Sequence, residues 1–255
     1  MSAAGAEFWN SLPTGRGVTL IKNDSNGLAA LLKPAGVLSH PNTSKDKPRS
    51  LLDTSYDKDG ECFVWTAPSG GVRRLWLLNR LDSATSGAVL VASDEALARE
   101  IKDLFARHAV TKLYNALVFG RPRAASELWR DRIGVERRGS FVRAGAGPVP
   151  AQSEMRVLQA ASGPPALALV ELEPLTGRTH QLRVQCAKRH LPIVGDATYG
   201  DFKRNREFAK ATGLKRLFLH SVETRLEYSR GGRKVAFRAE APLPEEFRRA
   251  LGAAK

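Results

Sequence analysis

The stretch Asn79-Arg80-Leu81-Asp82-Ser83-Ala84-Thr85-Ser86-Gly87 sets a carboxylate two residues after a guanidinium and follows it with hydroxyls and a glycine. An ionised carboxylate held rigidly can attack an electron-poor carbon or take a proton from it. The same Asp82 also reads as an Asx turn that satisfies nearby backbone amides. Further along, Thr176-Gly177-Arg178-Thr179-His180-Gln181-Leu182-Arg183 gathers two arginines, a histidine and an amide. Tyr114 adds a flat ring with a hydroxyl, although taken alone a strand tyrosine reads as cross-strand packing. His40 has no second His, Cys or carboxylate at ligand spacing and reads as a loop residue.

These groups need elements to hold them. Leu75–Leu78 leads into the Asp82 stretch and Ala88–Ala92 leads out, so Asp82 is expected on a polar loop between two buried strands. Val18–Ile21 and Leu28–Leu32 predict a hairpin, with the tight turn at Asn26-Gly27. Ser93 is expected to cap a helix whose Leu97, Ile101, Leu104 and Phe105 form one apolar face. On that helix Arg99 and Lys102 read as a solvated face. Lys112–Gly120 alternates as a strand, with Tyr114, Ala116 and Val118 on one side. Residues 43–60 read as a surface connection. Residues 121–150, rich in Gly and in Arg (Arg121, Arg123, Arg130, Arg132, Arg137, Arg138, Arg143), read as a protruding hairpin or loop able to meet phosphates. Ala166–Glu173 is a strand, and the glycine turn after it feeds a helix ending near His190. Residues 201–216 hold six bases and two acids and carry no assigned element. A strand from Leu217, a turn at Ser229–Gly232, a second strand over Lys234–Glu240 and a helix over Pro244–Leu251 finish the chain.

The 255 residues suit one large domain or two small ones, with a sizeable core in either case. No clear linker appears, so one catalytic domain over 18–255, after a loosely ordered lead-in over 1–17, is the simplest account. Forty Lys and Arg against 26 Asp and Glu give a formal charge of +14, which points to a polyanion and first to nucleic acid. No basic amphipathic helix with a bulky aromatic face favours a membrane surface. Cys62 and Cys186, the only two cysteines, lack disulfide or zinc spacing. With no apolar signal core and no membrane-length run, a cytoplasmic protein is expected.

In this order the motifs resemble the RluA-type RNA pseudouridine synthases. The resemblance runs from about Leu28 to Phe247. It is carried by Lys33-Pro34-Ala35-Gly36-Val37 with His40-Pro41, Arg80-Leu81-Asp82 with Thr85-Ser86-Gly87, and Lys112-x-Tyr114-x-Ala116. Gly177–Arg183, Gly195-Asp196 with Tyr199-Gly200, and Leu217–His220 complete it. The resemblance implies an α+β fold: a mixed, largely antiparallel β-sheet with flanking helices and a central active-site cleft. It implies Asp82 as the catalytic aspartate, Tyr114 as the active-site tyrosine and Arg183 as the basic partner that keeps Asp82 ionised. It places Arg80 near the flipped nucleotide, and Thr85, Arg178, His180 and Gln181 among the RNA- or base-binding residues. Leu219 matches the apolar wall beneath the base approximately. Where the family motif opens with histidine this chain has Asn79. Many relatives carry an S4 RNA-binding domain, which the residues before the first strand are too few to form. The isomerisation needs no cofactor and no metal, and the partner implied is RNA (rRNA or tRNA), with a monomer as the default.

Three other readings compete. A non-catalytic RNA-binding protein on the same fold would need the charge but not Asp82, Tyr114 and Arg183 together. A zinc nucleobase deaminase needs H-x-E and P-C-x-x-C motifs, and neither occurs. A DNA-binding regulator would need a recognition helix, and no helix-turn-helix pattern stands out.

Overall fold

The computed structural model describes residues 3–68, 70–138 and 141–253. In chain order it runs α1 (Ala3–Asn10), β1 (Thr19–Asn23), β2 (Leu28–Lys33), β3 (Ser55–Asp57), β4 (Cys62–Thr66), β5 (Val72–Leu77), β6 (Ser86–Ala92), α2 (Glu95–Ala106) and β7 (Thr111–Phe119). It continues with β8 (Ser126–Arg138), β9 (Phe141–Ala146), β10 (Val149–Ala161), β11 (Leu167–Pro174), α3 (Gln181–Lys188), α4 (Phe202–Thr212), β12 (Leu219–Arg230), β13 (Arg233–Glu240) and α5 (Glu245–Gly252). Strand pairing is largely antiparallel and helices are few, as the α+β expectation requires. No described helix is long and apolar enough to cross a membrane.

The chain divides into two compact units, one of residues 1–110 and 223–241 and the other of residues 111–222 and 242–255. In the first unit the strands follow the order β1-β2-β6-β5-β4-β3. The β1–β2 hairpin turns where expected: Asp24 Oδ1 accepts the Asn26 and Leu28 amides, and Gly27 takes the positive φ of +96°. Every residue of β6 is buried, which is why its sequence reads as a continuous apolar run. Leu28, Ala30, Leu90 and Ala92 pack with Leu97 and Ile101 of α2 and with Leu226 and Phe237 of the β12–β13 hairpin. Each such large side chain contributes about 1.5–3 kcal/mol by leaving water. The cap of α2 is one residue later than the sequence suggests. Asp94 accepts the Leu97 amide, while the Ser93 hydroxyl donates to the Gly27 carbonyl. Lys102 is not simply solvated: its Nζ meets Glu61 Oε2 at 2.6 Å. Two strands, β3 and β4, arise from and just after the stretch read as a surface connection.

The expected lead-in contains α1, whose Trp9 is buried. Beyond it, Gly15 donates to the Leu51 carbonyl and Asp53 to that of Pro13.

In the second unit β7, β11, β10, β8 and β9 follow one another. The arginine-rich stretch is strand for most of its length, and β8–β9 is a hairpin. The side chains of Arg137, Arg138 and Arg143 lie outside the described residues. Val184 of α3 packs against Ile133, Ala144 and Ala151. Helix α4 has no counterpart in the sequence reading, because only Phe208 on it is buried. The helix starts where Asp201 accepts the Lys203 and Arg204 amides, and Phe208 meets Phe119 and Phe218 edge-on. Cys62 is buried in the first unit and Cys186 in the second.

Candidate active site

Asp82 lies on the loop between β5 and β6, half-buried, with Arg80 exposed beside it. The loop is fastened at three places within the first unit. At its entrance, the Leu78 amide donates to the Leu90 carbonyl, and the Leu90 amide donates to Asn79 Oδ1 at 2.7 Å. At its centre, the Ser39 hydroxyl donates to the Leu81 carbonyl at 2.9 Å and accepts the Leu81 amide at 3.0 Å. At its exit, the Ser83 carbonyl accepts both the Gly36 amide and Lys33 Nζ. Lys33 is fully buried, and its ammonium also donates to the carbonyls of Val37 and Pro34. A buried charge needs such satisfaction. Here it ties Lys33–Val37 to the residue after Asp82. Gly36 adopts a φ of +87°, which glycine alone takes without strain. Residues 80–82 are thus gripped on both sides, while Asp82 itself is only half-buried.

Thr85 is buried at 2% exposure, and its amide closes a turn onto the Asp82 carbonyl. Nearby, His40 stacks on Tyr56 at 4.8 Å between ring centres. Burial, with the Glu61 charge adding to it, pushes the Tyr56 phenol up to about 12, and Arg80 opposes the rise. The Lys102 hydrogen bond holds the Glu61 carboxyl below its usual range, and Arg80 adds to the lowering.

In the second unit Tyr114 stands on β7 opposite Leu172 of β11, half-buried. Two positions earlier, burial lowers the Lys112 pKa against an opposing pull from Glu173. Arg183 on α3 is buried at 7% exposure. Its Nε and Nη2 form a two-pronged pair with Asp196, both bonds 2.8 Å long. Its guanidinium also lies 5.0 Å from the centre of the Tyr199 ring. Asp196 further accepts the Thr198 and Tyr199 amides on Oδ1. Burial raises the Asp196 pKa, but Arg183 and those amides outweigh it and hold the carboxyl below the usual range. Asn205 of α4 locks the same turn, accepting the Gly195 amide and donating to the Asp196 carbonyl.

Gln181, expected at the RNA, has its amide committed inside this unit. Its oxygen accepts Thr176 Oγ1 and the Arg178 amide, and its nitrogen donates to the Gln152 carbonyl and Ser153 Oγ. That network fixes the turn ahead of α3. His180 takes a positive φ of 54° at the start of the helix, and its Nδ1 lies 2.8 Å from the Tyr199 hydroxyl. Arg178 is exposed, its Nε donating to the Pro150 carbonyl. Leu219 is buried at the start of β12.

Asp82, Arg80 and Thr85 therefore belong to the first unit, and Tyr114, Arg178, His180, Gln181, Arg183 and Leu219 to the second. Within the second, His180, Arg183 and Tyr199 form one cluster, which Asp196 completes. The sequence reading quoted Asp196 and Tyr199 without giving either a role; the signal was that a buried arginine needs a carboxylate. Among the described residues, no group of three or more His, Cys, Asp or Glu is placed to hold a metal.

A family model described as RNA pseudouridylate synthase matches residues 27–188. The chain is 32% identical to a tRNA pseudouridine synthase C of Salmonella typhimurium, over 88% of this chain and 85% of that protein. It is 31% identical to the Pectobacterium carotovorum protein of the same name, but spans 57% of that one's length. A ribosomal large subunit pseudouridine synthase C of Vibrio vulnificus is 28% identical, over 83% of this chain and 72% of the relative. Among solved structures, Human RNA Pseudouridylate Synthase Domain Containing 4 superposes with a TM-score of 0.65 at 22% identity, covering 100% of this chain and 98% of that one. That likeness concerns the fold.

Proposed function

Because this chain belongs to the RNA pseudouridylate synthase family and is an RNA pseudouridine synthase of the RluA type, we propose that it converts uridine in structured RNA to pseudouridine with Asp82 as the catalytic carboxylate. The C1′–N1 glycosidic bond breaks, uracil turns, and C5 joins C1′; C5 gives up its proton and N1 gains one. Asp82 attacks the sugar or removes a proton from it and steadies the electron-poor C1′. Arg183 keeps Asp82 ionised. Tyr114 stacks on uracil, and its hydroxyl helps take the C5 proton. Arg80 braces the gap left by the everted base. Arg178 and His180 hold the RNA and Leu219 forms an apolar wall, while Thr85 and Gln181 act by fixing their turns.

The observation that carries this reading is the grip on residues 80–82. Ser39 brackets Leu81 on both backbone groups, and Lys33 and Gly36 hold Ser83, which is the preorganisation a reacting carboxylate needs. We take transfer RNA as the substrate, from the names of the Salmonella and Pectobacterium relatives. Ribosomal RNA is the second reading, favoured by the Vibrio relative.

The test is tritium release from RNA labelled at C5 of uridine, with bulk tRNA and rRNA in separate arms. Wild-type protein releases tritium, and Asp82→Asn abolishes release while still binding RNA. No release by wild type from either RNA would overturn the assignment, as would full turnover by Asp82→Asn.

A further inference from the structure

We propose that Arg130, Arg132 and Arg178 form a phosphate-docking surface on the second unit, a track for the RNA backbone that leads toward α3; this rests on the RNA-modifying reading above. Arg130 and Arg132 are alternate residues of β8, so they point to the same side of the sheet. Both are exposed, whereas Trp129 and Ile133 on the other side are buried. Across the ladder Arg132 faces Pro150 and Arg130 faces Gln152. Beyond the end of β11 the chain continues alongside β10, where Leu175 donates to the Gln152 carbonyl and Arg178 Nε to the Pro150 carbonyl. Arg132 and Arg178 thus flank Pro150 from either side. Arg132 Nη2 donates to the Pro148 carbonyl, so the two heads are tethered two residues apart, just before and just inside the start of β10.

The charge of these three groups is not cancelled. Four other exposed arginines are neutralised in place, Arg156 by Glu171, Arg225 and Arg238 by Glu223, and Arg248 by Glu245. Among the described residues, Arg130, Arg132 and Arg178 have no carboxylate within ion-pair distance. Two exposed carboxylates share the face: Glu154, which lies opposite Leu128 rather than opposite an arginine, and Glu136, four residues beyond Arg132 on β8. A carbonyl takes one or two of the five N–H donors of a guanidinium and leaves the rest for an acceptor such as a phosphate oxygen. Arg178 also reaches α3 directly, because its amide is bonded to Gln181, the first residue of that helix.

The experiment measures binding of bulk tRNA across a salt series, alongside tritium release. Arg130→Gln/Arg132→Gln is expected to weaken binding at least tenfold at low salt. Its plot of log K against log salt should be shallower by about 1.4–1.8, the share of two phosphate contacts. Arg130→Lys/Arg132→Lys keeps the slope. Arg225→Gln/Arg248→Gln removes the same charge from paired arginines and should move the slope by less than half as much. An unchanged slope in the first variant, or an equal change in the paired control, overturns the surface. Wild-type protein that binds tRNA but releases no tritium counts against the catalytic reading and leaves the surface standing.

A separate observation concerns Asn79, and from it we infer a positioning residue. The β5–β6 ladder pairs Trp76 with Ala92 and Leu77 with Val91. Continued by one step, it would have the Leu90 amide donate to the Leu78 carbonyl. That amide donates to Asn79 Oδ1 instead. A side-chain oxygen thus takes over the acceptor's place where the main chain peels away toward Asp82. An amide oxygen accepts at any pH, whereas an imidazole nitrogen accepts only when unprotonated. Asn79→Ala should lower kcat at least tenfold with KM for RNA within twofold of wild type. Asn79→Asp, which still accepts, retains kcat at neutral pH. Asn79→His should work at pH 8 and lose turnover on acidification around the ordinary histidine pKa of about 6.5, an acid limb that wild type lacks. Unchanged turnover in Asn79→Ala, equal losses in the Ala and Asp variants, or a loss confined to KM overturns the role.

Discussion

Arg183 and Asp196 illustrate how much rests on one pair of side chains. The pair is buried, two-pronged and further tied to two backbone amides and to α4 through Asn205. Removing one partner of such a pair leaves the other charged and uncompensated, at about 3–5 kcal/mol. Asp196→Asn is therefore expected to lower unfolding stability by that order in denaturant titrations, and to cut turnover because Arg183 loses its anchor. The pH dependence follows from the lowered pKa of Asp196. A depressed carboxyl pKa stabilises the fold above the unfolded value of about 3.9 and loses that contribution as the pH falls through the folded value. The stability gap between wild type and Asp196→Asn should be full at neutral pH and close below about pH 4. A gap that persists at acid pH would refute the linkage. Motif order in the sequence singles out Asp82, Arg183 and Tyr114 as the proposed site. It hid the role of Asp196, because a bidentate pair thirteen positions apart depends on how the chain turns between Arg183 and Asp196. It also places Gln181 and Thr85 among the RNA-binding residues; in the fold both are buried, Gln181 within a hydrogen-bond network of its own unit.

Elements were legible where their pattern was local. The alternation of Lys112–Gly120 became β7, and the apolar stripe of Leu97, Ile101, Leu104 and Phe105 became the inner face of α2. Helix α4 was invisible because one aromatic side chain, rather than a stripe, seats it. The cap of α2 was misplaced by one residue, since Ser93 and Asp94 are both good caps and only geometry decides between them. Here Asp94 takes the Leu97 amide. Asp94→Ala should cost about 1 kcal/mol in urea unfolding, and Ser93→Ala measurably less. The reverse ranking would return the cap to Ser93.

Across the whole molecule, the excess of 40 basic over 26 acidic side chains gave the polyanion reading from composition alone. Composition could not say where that excess is exposed, because pairing within the fold neutralises many arginines and leaves others bare. The division of the chain was also hidden: β12 begins in one unit and ends in the other, so no composition break marks the passage. The two buried cysteines then acquire a use of their own. Burial pushes the Cys186 thiol far above its ordinary pKa, which silences it toward alkylating reagents while the fold is closed. Cys62 is equally shielded on β4, beside the three-residue strand β3. A thiol dye added under native conditions would time each breathing event separately, one clock per half of the chain. Cys62 should react first, because the three-residue β3–β4 pairing beside it opens at less cost than the helix around Cys186.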